Sequence, residues 1–353
     1  MKKNKVYIIA EIGVNHNGDV KTAKKLVDYA KKAGADAVKF QNFISSELVT
    51  KNAKKAPYQI KNTKNNDQQY KMLRKLELKL SDYFIIKNHC KKKKIDFLTS
   101  VFDVESLFFV ERKLKQKIIK IPSGEITNFF LLEKIDLSKY SIILSTGMSN
   151  INEIKKAINV ISKKKIYNLN SKKKFLNLKE INKIKKKITI MHCVTDYPVQ
   201  DKYANLDCIN SMKSDLNLNI GYSDHTKGVL APLIAASKGA RLIEKHFTLN
   251  KRMNGPDHLA SLDPKEFKEM VDLIRRFEKL NGSNNKKVFK CEFKNKLIAR
   301  KSIVAKKYIK KGEKFNYENI TAKRPGDGIS PSLMNKIINK VSKKNFYPDQ
   351  KIK

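Results

Sequence analysis

The sequence predicts an α/β protein: a closed (β/α)8 TIM barrel followed by a small, mostly β domain. Three observations carry this. Eight short apolar runs, rich in β-branched residues, recur through the first 250 residues. They are nearly continuous in hydrophobicity, as strands of a parallel sheet buried on both faces read. Helical patterns separate them, giving eight β–α units with no strand left over, which points to a closed barrel rather than an open sheet. No GxGxxG-type turn follows the first run, which argues against a doubly wound fold.

The elements follow in order. "VYIIAEIG" (6–13) is the first strand. In "DVKTAKKLVDYAKKAGAD" residues Ala23, Leu26, Val27 and Ala30 fall at helical spacing, with Asp19 to cap the start and Gly34 to close the end. "AVKFQ" (37–41) is the second strand, and the polar stretch 42–68 after it lies at the catalytic end of a barrel, as a substrate lid does. The remaining strands are "DFLTSVF" (96–102), "IIKIPSG" (118–124), "IILSTG" (142–147), "ITIMHC" (188–193), "NIGYSD" (219–224) and "RLIEKHFT" (241–248). Helices fit 69–93, 104–115, 150–163, 226–239 and 264–280. Residues 163–187, rich in Lys and Asn, read as a solvated excursion at the opposite end of the barrel. The barrel domain spans 1–281, a polar linker 282–296, and the small domain 297–353, with turns at Lys311-Gly312, Pro325-Gly326 and Asp327-Gly328.

Composition narrows the function. The chain has 353 residues, 41% of them hydrophobic, enough for a large core. The formal net charge of +42 comes from lysines spread along the whole chain, with no aromatic-interleaved basic motif. That pattern reads as a solvated surface rather than a nucleic-acid site, although such a field draws in small anions. No apolar run approaches the roughly 20 residues of a membrane span. The opening "MKKNKVYIIAEIGV" begins like a signal peptide, but its apolar stretch ends at Ala10 and it lacks a cleavage pattern, so a cytoplasmic protein is expected. Cys90, Cys193, Cys208 and Cys291 form no CxxC pair and read as reduced thiols, Cys193 as core packing.

A (β/α)8 barrel carries its active site at the C-terminal ends of its strands. There the sequence places Glu11; Lys39 and Gln41; Thr99 and Ser100; Lys120, Ser123 and Glu125; Ser145 and Thr146; His192 and Tyr197; Ser223, Asp224 and His225; Glu244, Lys245 and His246. So many polar residues at one end are hard to explain as packing, because unpaired buried polar groups are costly. His225 and His246 occupy matching positions on successive strands. They are either two independent structural histidines or a two-ligand metal site that leaves room for water and substrate oxygens, suited to Mg²⁺ or Mn²⁺. Lys39, Lys120, Ser123, Ser145 and Ser223 suit a phosphate and a carboxylate on one small ligand. Lys120 is alternatively a Schiff-base lysine. Glu125, set among these cations, can move protons or position water.

The motifs "AEIGVNHNGD", "KIPSGEITN", "ILSTGMS", "HCVTDYP", "IGYSDHT", "EKHFT" and "GPDHLAS", with "ARKSIVA" and "KRPGDGISP" near the end, resemble the sialic acid synthase family over nearly the whole chain. The final domain resembles that family's antifreeze-like (SAF) domain, and "YQIKNT" and "KLEL" look most like bacterial N-acetylneuraminate synthases. The resemblance implies condensation of phosphoenolpyruvate with N-acetylmannosamine, releasing phosphate. It implies phosphoenolpyruvate contacts from Lys39, Ser100, Lys120, Ser123, Ser145, Thr195 and Ser223, with a divalent metal, Mn²⁺ or Mg²⁺, on His225 and His246. Glu125 is the implied acid/base residue, with Glu11 nearby. Gln41, Tyr197 and Asp257 contact the sugar. Arg324 reaches its acetamido group from the partner of a domain-swapped homodimer.

Several positions depart from the family pattern. Ser100 stands for Thr and Val101 for Pro in "TSVF", Val194 for a polar residue, Asn42 for Thr, and Asp327 for Asn beside Arg324. A sister synthase making legionaminic or pseudaminic acid from a different N-acylated hexose has the same chemistry and differs in the 42–68 lid. More distant alternatives are a metal-free Schiff-base aldolase and a polyanion binder.

Overall fold

The structure is a computed structural model and describes residues 5–169 and 175–352. Eight parallel strands close into a barrel in sequence order. They are β1 (Tyr7–Gly13), β2 (Ala37–Asn42), β3 (Asp96–Val101), β4 (Ile118–Ile121), β5 (Ser141–Ser145), β6 (Ile188–His192), β7 (Asn219–Asp224) and β8 (Leu242–His246). Each falls on an expected run, with small differences at the ends.

The strand pleat sends alternate residues into the barrel. Ile9, Ala37, Leu98, Ile143, Met191 and Leu242 meet there as a buried apolar plug. Two residues further along the same strands come Glu11, Lys39, Ser100, Ser145, Cys193 and Glu244, so a polar layer caps the plug. Gly221 is fixed by this packing, since a β-carbon there would sit 2.4 Å from the Met191 sulfur and 2.7 Å from the Leu242 carbonyl oxygen.

The first helix, Val20–Lys32, starts at Asp19, whose carboxylate accepts the backbone N–H groups of Lys21 and Thr22. Gly34 follows its end at φ +92°, where a side chain would be strained. The pattern read as one helix over 69–93 forms two, Gln69–Leu76 and Leu80–Lys93. The break is at Glu77, whose carboxylate accepts both the backbone N–H and the hydroxyl of Ser45 and so ties the lid down. The 104–115 pattern is an α-helix, Val104–Phe108, running into a π-helical turn, Phe109–Lys113. The helix expected over 226–239 is shorter, Leu230–Ser237.

The 163–187 reading needs correction. Its described part packs against the barrel: Tyr167 is buried and its hydroxyl donates to the Leu216 carbonyl at 2.6 Å. The helix Leu178–Ile184 buries Ile181 and Ile184. The lysine-rich composition hid those apolar anchors, and 170–174 lie outside the described residues.

The chain divides into two compact units between Asn281 and Gly282. In the second, β9 (Ser302–Ala305) and β10 (Ile320–Lys323) pair antiparallel. Ile303, Ala305, Ile309, Phe315 and Phe346 form its core. The stretch read as a linker, 282–296, is exposed throughout but ends in the first turn of a helix, Phe293–Ala299. Among the described residues no helix is long and apolar enough to cross a membrane.

Candidate active site

A cavity of about 330 Å³ opens over the polar layer at the C-terminal ends of the strands. Glu11, Lys39, Gln41, Ser100, Lys120, Ser123, Glu125 and Ser145 line it. Thr195, Tyr197, Ser223, His225, His246 and Asp257 also line it, so the barrel residues that the family resemblance implies are gathered in one place. Arg324 is an exposed residue of the second unit.

The cavity floor is an ion-pair network set by strand register. Glu11 pairs with Lys39 across β1 and β2, Ser100 with Lys120 across β3 and β4, and Ser223 with Glu244 across β7 and β8. Lys39 Nζ lies 2.7 Å from Glu11 Oε2 and donates to Ser100 Oγ at 2.8 Å. Lys120 Nζ donates to both Glu244 oxygens at 2.8 Å, and Ser223 Oγ donates to Glu244 Oε1 at 3.1 Å. Lys39 Nζ is 3.7 Å from the same oxygen. Glu244 therefore joins both lysines. Sequence reasoning places it at the end of strand 8 but gives it no role; its position two residues before His246, on the same strand face, was the available signal. Burial alone would raise its pKa, but Lys120 and Lys39 hold it down at about 2. Burial opposes charge on Lys39 too, yet Glu11 and Glu244 keep it above the usual range.

Glu125 stands apart from this network, contrary to the expectation that it sits among the cations. It accepts from Asn128 Nδ2 at 2.7 Å. Burial, with Asp103 nearby, pushes its carboxyl above the usual range, which suits a group that carries a proton.

The two histidines converge. Their ring centroids are 5.5 Å apart, and the Tyr197 ring packs 4.2 Å from His225 and 5.6 Å from His246. His225 Nδ1 is 2.6 Å from the Val194 carbonyl oxygen, so it carries the proton and leaves Nε2 with its lone pair. His246 Nδ1 is buried with no hydrogen-bond partner. Burial lowers both imidazoles, His225 to about 4, so both are neutral near pH 7. Asp257 Oδ2 lies 4.0 Å from His246 Nδ1. Among the described residues no group of three or more His, Cys, Asp or Glu is placed to hold a metal. Two neutral imidazoles fit a divalent cation that completes its shell with water and substrate oxygens.

Other residues of the expected polar ring do not face the cavity. Asp224 and Lys245 point outward through the barrel wall and pair with each other. His192 bonds the Ala204 carbonyl at 2.9 Å, and Thr146 donates to the Met191 carbonyl. Cys193, read as core packing, lines the cavity with its sulfur 3.2 Å from Ser123 Oγ. Thr195 Oγ1 is buried without a partner and free for a ligand.

The lid is less polar than its composition suggests. It holds the helices Ser45–Leu48 and Pro57–Thr63, and its underside belongs to an apolar cluster of Val14, Phe43, Met72, Leu73 and Leu76. Asn62 Nδ2 donates to the Pro256 carbonyl at 2.6 Å, and the Tyr58 ring packs 4.8 Å from Tyr197. Neither Tyr58 nor the apolar underside was foreseen, because the contacts that create them are long-range.

A family model described as the NeuB family matches residues 26–286, and a SAF domain model matches 300–353. The chain belongs to the NeuB family. An N,N'-diacetyllegionaminic acid synthase of Campylobacter jejuni is 46% identical to it over 99% of both chains. A second protein so named, from Legionella pneumophila, is 40% identical over 94% of this chain and 89% of its own. A crystal structure of an N-acetylneuraminic acid synthetase from Leptospira borgpetersenii, in complex with citrate, is 31% identical with a TM-score of 0.68, covering 83% of this chain and 90% of that one. These values revise the expectation drawn from "YQIKNT" and "KLEL": the two legionaminic acid synthases resemble the chain more than this sialic acid synthetase does.

Proposed function

We propose that the protein joins phosphoenolpyruvate to an N-acylated hexose and releases phosphate, and that its product is of the diacetylated legionaminic kind rather than N-acetylneuraminate. The observation that carries the chemistry is the pair of buried lysines, flanked by serine hydroxyls, beside two neutral imidazoles in one cavity. The product class rests on the likeness of this chain to the two N,N'-diacetyllegionaminic acid synthases.

Lys39, Lys120, Ser100, Ser123, Ser145, Thr195 and Ser223 bind the phosphate and carboxylate of phosphoenolpyruvate. Glu11 and Glu244 occupy the lysine N–H groups in this structure, so the anion competes for the same donors. His225 and His246 would hold Mn²⁺ or Mg²⁺, which supplies Lewis-acid polarisation of the sugar's carbonyl oxygen. Carbon 3 of phosphoenolpyruvate bonds to the sugar's aldehyde carbon, whose oxygen takes up a proton. Water adds at carbon 2, the bond from carbon 2 to the phosphate oxygen breaks, and a keto group remains. Glu125 holds the proton moved in these steps, and Glu11 orients Lys39. Gln41, Tyr197 and Asp257 position the sugar. Arg324, presented by the partner of a domain-swapped homodimer, holds an acetamido group.

Phosphate release tests this. Purified protein with Mn²⁺ is expected to release phosphate from phosphoenolpyruvate only with an N-acylated hexose present, and with the highest kcat/KM for one bearing two acetamido groups. EDTA should stop the reaction and excess Mn²⁺ restore it. A higher kcat/KM with N-acetylmannosamine returns the product to the sialic acid branch. Full activity in EDTA with borohydride trapping at Lys120 supports the Schiff-base route instead.

A further inference from the structure

The proposed chemistry leaves one part of the cavity unused. Gln59, from the lid helix Pro57–Thr63, and Gln69, from the helix Gln69–Leu76 that follows the lid, both line it. Gln59 Oε1 accepts the Ala56 backbone N–H at 2.9 Å and Gln69 Nε2 at 3.3 Å. Those bonds orient both amides. One Gln59 amide N–H donates to the Tyr58 hydroxyl, so the second N–H and the Gln69 carbonyl oxygen remain as one donor and one acceptor at the cavity wall. Around them lie Leu48, Val49, Met72, Leu73 and Leu76, which also line the cavity.

A sugar hydroxyl can meet the donor or the acceptor there but leaves the apolar wall uncovered. An amide with a methyl tail suits it better, because it offers one acceptor, one donor and an apolar end. We propose that the lid pouch built from Gln59, Gln69, Met72, Leu73 and Leu76 binds a second N-acyl group on the acceptor hexose. Its carbonyl oxygen accepts from Gln59, its N–H donates to Gln69, and its methyl packs on Met72 and Leu73. The inference rests on the function proposed above, in which Arg324 serves the first acyl group. A hexose with a hydroxyl in place of the second acyl group cannot span the donor, the acceptor and the apolar wall together, and a polar group left without its partner is what makes such a site selective.

The test compares wild type with Gln59→Leu and Gln69→Leu, using two hexoses that carry one and two acetamido groups. Each variant is expected to raise KM for the diacetamido hexose about 10–100-fold, the loss of a hydrogen bond in a buried site. The ratio of kcat/KM between the two sugars should fall by a similar factor, and KM for phosphoenolpyruvate should move far less. A second variant, Met72→Ala, enlarges the pouch and is expected to raise kcat/KM for an N-butanoyl analogue relative to the N-acetyl sugar. Equal losses for both sugars, or parallel loss of phosphoenolpyruvate affinity, overturn the proposal. So does an unchanged KM for the diacetamido hexose. A wild type that releases no phosphate with either sugar overturns instead the function on which the inference rests.

Discussion

Strands β7 and β8 bury parts of two lysine–carboxylate pairs one residue apart, and the two have opposite fates. Glu244, on the inner face, holds Lys120 at 2.8 Å on the cavity floor. Its neighbour Lys245, on the outer face, holds Asp224 at 2.5 Å with both side chains at 0% exposure. The outer pair is closed: Asp224 Oδ1 also accepts the Tyr222 hydroxyl and the Thr226 N–H at 2.9 Å, and Lys245 also donates to the Thr226 carbonyl. The inner pair opens onto space a substrate can enter. Buried charge therefore does not by itself mark chemistry; the face of the pleat decides.

Removing one partner from each pair should separate the two roles. Lys120→Met is expected to cost about 10²–10³-fold in turnover, as losing a charge-stabilising donor does, and to lower stability less than Lys245→Met does, because Lys39, 3.7 Å away, still offsets the Glu244 charge. Lys245→Met leaves Asp224 uncompensated and should destabilise the fold by about 3–5 kcal/mol, with turnover per folded molecule near wild type. Adding Asp224→Asn should recover part of that loss, a coupling read by a double-mutant cycle.

The inner pair should also respond to acid. The Glu244 carboxyl is held at about 2 in the folded protein, below its ordinary 4.5. Unfolded chains therefore bind more protons in that window, so its contribution to stability is present above the ordinary value and fades as pH falls toward about 2. Glu244→Gln should show a shallower decline in urea-unfolding free energy over that range than wild type. The smallest expected effect is that of Ser223→Ala, which removes one hydrogen bond to Glu244 and about 1 kcal/mol.

The barrel was legible because each strand is a short apolar run with its polar residues at the same end, and the pleat then fixes which of them meet. Lys39, Lys120, Ser223 and the two histidines followed from that. The inward or outward fate of Asp224 and Lys245 was readable in principle from parity with Ser223 and Glu244. The lid was not. Its underside is built when Met72, Leu73 and Leu76 meet Val14 and Phe43 from other elements, and no local period announces such contacts. Leu178–Ile184 was hidden similarly, two isoleucines among lysines being too weak a pattern.

The central claim is that the inner layer makes a carbon–carbon bond and lets phosphate leave from carbon. Phosphoenolpyruvate labelled with ¹⁸O in its bridging oxygen, incubated with the protein, Mn²⁺ and a diacetamido hexose, tests it in one mass-spectrometric measurement. The expected products are a hexose extended by a three-carbon keto acid without label, and free phosphate that carries it. Phosphorylated hexose with labelled pyruvate would contradict it.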